Sequence, residues 1–214
     1  AEIFANSENV KQRLQAFCNR DSTVLYHPPG LAEDLRLGPY GDYLLCPGRL
    51  ESLKRQEFVL NSLAQTKAQV KIKFVGAVGS ESYAEKLKKL AARLGVVDRI
   101  EWCGFVSKEA LVDLYANARA VVYAPQDEDY GYVALEGQIA GKPLITTDDS
   151  GGVLEFIDSE NGWVSEFDSA VFAEALDAAW SDSKRCEHLG LSGRDRYMSL
   201  NLSWSRVAEK LILK

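Results

Sequence analysis

The sequence is poor in the residues that most often build metal and redox sites. It has 214 residues, with two histidines, one methionine (Met198) and four cysteines. Cys18, Cys46, Cys103 and Cys186 stand far apart with no CxxC pair, which excludes the usual spacing of a structural zinc site and of a disulfide framework. Cys18, Cys46 and Cys103 lie among apolar or aromatic neighbours and read as buried, reduced thiols of a cytoplasmic protein. Long apolar runs are missing too: none approaches the roughly 20 residues of a membrane span. No basic stretch followed by an apolar block marks a leader, so none is expected. Positive charge is outnumbered, 25 Lys and Arg against 31 Asp and Glu for a net charge of −6. A general nucleic-acid binder would be basic, so that class is set aside. There is no low-complexity linker and no internal repeat. The chain opens on Ala1, and its first residues read as the end of a strand already inside a fold, so a large preceding portion is expected.

What remains is an ordinary globular composition, 46% hydrophobic and 26% charged, long enough for one large α/β domain. Elements alternate along it. Glu2–Ala5 reads as a short strand, Ser7 as the cap of a helix with the pattern S-x-x-V-x-x-R-L, and Thr23–Tyr26 as a strand halted by Pro28 and Pro29. Leu31–Gly41 reads as a connector. Strands follow at Tyr43–Cys46, Val70–Val75, Arg99–Cys103, Arg119–Ala124 and Leu144–Thr147. Helices lie between them at Gln56–Gln65, Glu81–Leu94 (stopped by Gly95), Ser107–Ala116 and Val133–Ala140. The strands are continuously apolar rather than alternating, which indicates a Rossmann-like, doubly wound parallel sheet with helices on both faces. The tail, Ala170–Leu213, reads as nearly all helical, with Trp163, Trp180 and Trp204 packing it.

Ligands of such sheets bind beyond the carboxyl ends of the strands, where helix N-termini offer free N–H groups. The informative segments are therefore Gly48-Arg49, Gly76, Gly104-Phe105-Val106, Pro125–Gly131 and Thr147–Gly152. Glycine there admits a ligand close to the backbone, although ordinary turns favour it as well. Charge separates the two cases. Arg49 and Lys54 are placed across a turn into a helix start, where two cations are locally unfavourable and a bound anion would offset them. Glu128 and Glu136 stand eight apart around Tyr130-Gly131-Tyr132, a span of roughly 12 Å if helical. One carboxylate can hold a ribose diol and the other a sugar, with the backbone N–H groups of Gly131–Val133 facing phosphates between them.

These segments together resemble the C-terminal domain of GT-B glycosyltransferases, in particular retaining family 4. Gly48-Arg49 with Lys54 is similar to the family's Gly-Arg-x4-Lys. Glu128 to Glu136 is similar to its E-x7-E, with Tyr130-Gly131 in place of Phe-Gly. Ile139 to Leu144 is similar to its A-x-G-x-P-V. The resemblance implies that residues 1–40 end an N-terminal domain and cross over, and that residues 41–214 form the donor-binding domain. It implies that Arg49 and Lys54 bind the donor diphosphate and stabilise the leaving nucleotide, that Glu136 holds the ribose, and that Glu128 contacts the transferred sugar. Gly104, Phe105 and Val106 would meet the base, while Gly48, Tyr130, Gly131, Tyr132 and Val133 complete the donor site. No cofactor and no metal ion are called for; Asp127-Glu128-Asp129 resembles a metal motif, but its centre is already assigned.

The implied partners are a UDP- or GDP-sugar and an acceptor glycan or glycolipid held by the absent N-terminal domain, in surface polysaccharide or glycolipid synthesis, with retention of configuration. The implied location is cytoplasmic, with peripheral contact at the inner face of a membrane; the basic helix at Lys86–Gly95 is a candidate for that contact, though it reads more readily as a solvated outer helix. Asp129 departs from the family's glycine and brings negative charge beside an anionic ligand. Asp148–Gly152 reads either as a backbone contact to the sugar or as a plain turn, and His27 as a turn residue. A binding or scaffold domain without transferase activity is the alternative, and would bind donor without turnover even when joined to the missing half.

Overall fold

The computed structural model describes residues 2–212. Its centre is a six-stranded parallel sheet made of β3 (Leu44–Pro47), β4 (Ile72–Val75), β5 (Ile100–Gly104), β6 (Ala120–Val122), β7 (Leu144–Thr147) and β8 (Gly162–Ser165), in the spatial order β5-β4-β3-β6-β7-β8. Before it, β1 (Phe4–Ala5) and β2 (Thr23–Val24) form a separate parallel pair linked by α1 (Glu8–Cys18). Helices α2 (Gln56–Leu63), α3 (Glu81–Leu94), α4 (Lys108–Asn117) and α5 (Tyr132–Ile139) follow successive strands; α6 (Ser169–Ser181), α7 (Ser183–Leu200) and α8 (Trp204–Ile212) end the described chain. The helical tail agrees with the sequence reading, apart from Leu213, which lies outside the described residues.

The continuous apolar strands are explained by two cores, one on each face. Strand residues alternate between them: Leu44, Cys46, Phe74, Val122 and Ile145 enter one cluster, and Leu45, Val75, Val121 and Leu144 the other. The first core is completed by α2, α3 and α6 through Leu60, Leu87 and Phe172. The second is completed by α4, α5 and α7 through Tyr115, Leu135 and Tyr197. A strand buried on both faces has no polar side to show, so its period-2 signal vanishes.

Several boundaries and one strand differ from the sequence reading. β4 begins at Ile72 rather than Val70, and α2 ends at Leu63. The strand β8 went unread: it is a four-residue edge strand that opens on glycine, and only Gly162 and Ser165 are buried. Cys18 is exposed at the end of α1 and Cys103 is half-buried, so of the three thiols expected to be buried only Cys46 is; Cys186, which was not among them, is buried as well. Trp204 is 56% exposed rather than packed.

The N-terminal segment is fastened to the loop that follows β6. Ser7 is fully buried; its hydroxyl donates to the Asp129 carbonyl at 2.5 Å and accepts from the Val10 amide at 3.0 Å, capping α1. Asn9 donates to the Asp127 carboxylate and to the Glu128 carbonyl, and Arg13 pairs with both Asp127 and Asp129. Replacing Ser7 with alanine removes the cap and leaves the Asp129 carbonyl without its donor. We expect a loss of about 2 kcal/mol in urea denaturation, against about half of that for a helix cap with no tertiary partner.

Candidate functional site

The strand order identifies where a ligand can enter. From β3 the chain moves outward through β4 and β5, then returns to the other side of β3 to lay down β6. The order therefore reverses between β3 and β6, and the loops leaving their carboxyl ends diverge and open a crevice. A cavity of about 410 Å³ lies there. Gly48, Arg49 and Lys54 line it from the loop after β3, Phe105 and Val106 from the loop after β5, Glu128 from the loop after β6, and Tyr132, Val133 and Glu136 from α5.

Two strand ends are pressed together at the mouth. Gly76 has φ +148° and Gly48 φ +138°, both left-handed-side conformations that L side chains rarely adopt, and a Cβ on Gly76 would stand 2.2 Å from the Gly48 carbonyl oxygen. Amide-to-carbonyl bonds from Gly48 to Val75 and from Gly76 to Gly104 carry the ladder past the strand ends. The glycines thus give the turns after β3 and β4 their shape. Opposite them, α5 starts at Gly131 (φ 88°) with no side-chain cap on its first amides. Its opening turn therefore presents uncapped N–H groups beside the cavity.

The two glutamates have different surroundings. Glu128 Oε2 accepts from Lys54 Nζ at 2.5 Å and from the Tyr123 hydroxyl at 2.8 Å. Lys54 sits in a short 3₁₀ turn, Ser52–Lys54, and its charge is met by this carboxylate. The sequence reading left both cations at the turn needing an anion; the structure pairs one of them internally, with a carboxylate 74 residues away that no local pattern connects to it. Arg49 is different: its side chain is 64% exposed and only loosely paired, 3.8 Å from Glu51. Glu136 Oε2 accepts from the Tyr115 hydroxyl at 2.6 Å, with no ion-pair partner among the described residues. Burial pushes its carboxyl up to about 7, against the opposing effect of the Tyr115 bond.

Three expected residues do not line the cavity. The Tyr130 side chain is buried on the second core, where its hydroxyl donates to the His27 carbonyl at 2.6 Å and accepts the His27 amide at 2.9 Å. It braces the N-terminal segment and stands outside the cavity lining. Gly131 shapes the start of α5, and its α-carbon faces Val153, which a Cβ would meet at 2.8 Å. Gly104 ends β5 at φ 64° and turns the chain toward Phe105 and Val106. The loop 148–152 supports Glu128 from behind: the Gly152 amide donates to the Glu128 carbonyl and the Glu128 amide to the Ser150 carbonyl. Asp129, expected to repel an anion, lies outside the cavity lining and is neutralised by Arg13.

Tyr115 and Tyr123 were not read as site residues. In sequence they sit in apolar stretches and look like core. Their rings are core, yet their hydroxyls reach the two carboxylates. The outer helix α3 carries Lys86 and Lys88, paired with Glu57 and Glu85. Among the described residues, no helix is long and apolar enough to cross a membrane, and no group of three His, Cys, Asp or Glu side chains is placed to hold a metal ion.

Comparison with known proteins agrees with this geometry. A family model described as glycosyl transferases group 1 matches residues 34–196. A D-inositol 3-phosphate glycosyltransferase of Corynebacterium diphtheriae is 27% identical over 77% of this chain and 40% of its own length. One from Streptomyces scabiei is 31% identical over 66% of this chain and 34% of its own. The chain thus spans roughly a third to two-fifths of these relatives. In shape it is similar to Anabaena Alr3699/HepE, solved in complex with UDP and glucose (TM-score 0.87, 20% identity, 98% of this chain and 62% of that one). It is also similar to the C-terminal domain of a group 1 glycosyl transferase, LpcC, of Francisella tularensis (TM-score 0.67, 21% identity, 82% of this chain and 95% of that one).

Proposed function

The chain belongs to the glycosyl transferases group 1 and is a GT-B glycosyltransferase domain, and from that premise we propose that the crevice between β3 and β6 binds a nucleotide-diphospho-sugar, the donor of a sugar transfer that retains configuration. One observation carries the reading: a single cavity at the reversal of strand order is lined by a loosely paired arginine, two glutamates and the uncapped start of a helix. Each matches a different part of such a donor. The uncapped amides of α5 and the Arg49 guanidinium suit a diphosphate, the first by dipole and N–H donation and the second by a forked, charge-assisted contact. Glu136 suits the ribose hydroxyls. Glu128 suits the transferred sugar, with Lys54 beside it. Phe105, 84% exposed beside Val106, offers the base a flat apolar surface.

In transfer, the bond from the anomeric carbon to the diphosphate oxygen breaks and negative charge grows on the leaving nucleotide. Arg49, Lys54 and the α5 terminus would stabilise that charge as it develops, and on this reading no metal ion is needed. The donor class is a UDP- or GDP-sugar; a nucleotide-sugar is supported by the complexes of the structural relative HepE with UDP and UDP-glucose. Residues 1–40 would belong to the crossover from an N-terminal domain that supplies the acceptor glycan or glycolipid, at or near the cytoplasmic face of a membrane. This chain alone would then bind donor and turn over poorly.

The test is a thermal-shift panel with UDP, GDP and ADP on the chain and on Arg49→Ala. At about 100 times the dissociation constant, binding adds about 2.7 kcal/mol, which for this size is roughly 5–10 °C. We expect one base to produce that shift and the variant to lose most of it. A shift that survives intact in Arg49→Ala would refute the role given to Arg49. The absence of any shift would refute the donor site in this chain. Binding with no turnover when an acceptor-binding N-terminal domain is joined to the chain would favour a scaffold over a transferase.

A further inference from the structure

We infer that Tyr123 is a positioning residue for the sugar end of the donor: its hydroxyl, together with Lys54, holds one oxygen of Glu128 and so leaves the other as the acceptor that the ligand meets. The inference deepens the proposed function and rests on it.

Tyr123 is held firmly. It is the first residue beyond β6, and its amide donates to the Ile145 carbonyl at 3.0 Å, so the sheet sets the direction of its side chain. The strand's alternation sends the ring with Val121 into the second core, where the residue is 5% exposed. A Cβ on Gly48 would touch the ring at 3.8 Å, and Lys54 Nζ lies 5.6 Å from the ring centroid. A ring fixed on three sides carries a hydroxyl with little freedom, and that hydroxyl is within 2.8 Å of Glu128 Oε2. Burial and the neighbouring carboxylate both push the phenol far above its ordinary value, so it stays a donor throughout the working pH range.

Glu128 is then fixed at every point but one. Its amide and carbonyl are bonded to Ser150, Gly152 and Asn9. Both side-chain contacts, Lys54 and Tyr123, converge on Oε2. Oε1 has no hydrogen-bond partner among the described residues, and Glu128 lines the cavity. Lysine alone would not achieve this. An ammonium on a flexible stem can follow either oxygen of a rotating carboxylate, whereas a phenol anchored in the core cannot. The tyrosine therefore selects the carboxylate orientation, and the selection matters for the hydroxyl-bearing sugar and not for the base or phosphates.

The test compares Tyr123→Phe with the unsubstituted chain by calorimetry, using UDP and UDP-glucose, then GDP and GDP-mannose. Phenylalanine keeps the ring and its packing. We expect the affinity for the nucleoside diphosphate to stay within about twofold and the affinity for the matching nucleotide-sugar to fall about tenfold, the scale of a hydrogen bond to a charged group. In a Glu128→Ala background, Tyr123→Phe should add nothing to the change in that ratio, because both act through one carboxylate. A merely structural tyrosine would lower both affinities alike or lower the melting temperature alone; either result overturns the inference, as does an unchanged ratio. Failure of the unsubstituted chain to bind any of the four ligands refutes the donor site and this inference with it.

Discussion

Gly76→Ala should destabilise the chain by about 3–5 kcal/mol, combining a left-handed-side conformation forced on an L residue with a backbone clash. The obstacle is not a side chain that can swing away. A Cβ at this position meets the Gly48 carbonyl oxygen at 2.2 Å, its carbon at 2.6 Å and the Arg49 amide at 3.2 Å. Relief requires the ends of β3 and β4 to part, and those ends carry the bonds from Gly48 to Val75 and from Gly76 to Gly104. At about 2–4 °C per kcal/mol for a chain of this size, the melting temperature should fall by roughly 6–20 °C. Gly95→Ala is the control: Gly95 also has positive φ (69°) but open space around it, so only the conformational cost of about 1 kcal/mol applies. Equal losses for the two variants would mean that close approach of the loops plays no part.

Glu136→Gln should move stability and ligand affinity in opposite directions. Burial raises the Glu136 carboxyl from its ordinary 4.5 to about 7. Between those values the folded chain holds a proton that the unfolded chain has released, so stability falls as pH rises through that window. The contribution is fully present below the ordinary value and lost above about 7. Glutamine keeps the shape and removes the titration, so at pH 8 the free variant should be more stable than the parent by on the order of 2 kcal/mol. At pH 5 the difference should largely disappear. Binding runs the other way, because a ribose diol needs an ionised acceptor. Nucleotide affinity should rise from pH 6 to pH 8 in the parent, and Glu136→Gln should weaken it by about 30-fold or more at pH 8. Denaturant melts and calorimetry at the two pH values read both effects. A variant that is less stable at pH 8 would show that the carboxylate is held by more than Tyr115.

Burial on both faces and distance along the chain decide which parts of this protein could be read from its sequence. Leu44, Leu45, Phe74, Val121 and Ile145 lie in strands buried on both faces, and continuous apolar runs revealed them. β8 is an edge strand of four residues with a glycine start and two of its four residues buried, and it left no such trace. Glu136 was legible because its distance from Glu128 along the chain is set by one loop and one turn of helix. The pairing of Lys54 with Glu128 was not, because it depends on β3 and β6 becoming neighbours, a fact of strand order that no local pattern records. Tyr130 misled for the same reason: adjacent to the carboxylates in sequence, it packs into the second core away from the cavity lining and binds the His27 backbone. Tyr115 and Tyr123 look like core because nearly all of each side chain is core; only the last atom belongs to the site.

The clasp between the first 27 residues and the loop at 127–132 has a similar standing. Ser7, Asn9, Arg13 and His27 reach across more than a hundred residues to the segment that carries Glu128 and Tyr132. The site is therefore assembled by the N-terminal segment as well as by the sheet.

The central claim is one of place: the nucleotide sits between the ends of β3 and β6. Amide spectra of the isotopically labelled chain, titrated with the base that stabilises it, test this most directly. We expect the largest shifts at Gly48 and Arg49, at Gly104–Val106 and at Tyr132 and Val133, with Leu200–Val207 little changed. Shifts centred instead on the separate cavity between Tyr26 and α8, about 520 Å³ in volume, would contradict the claim.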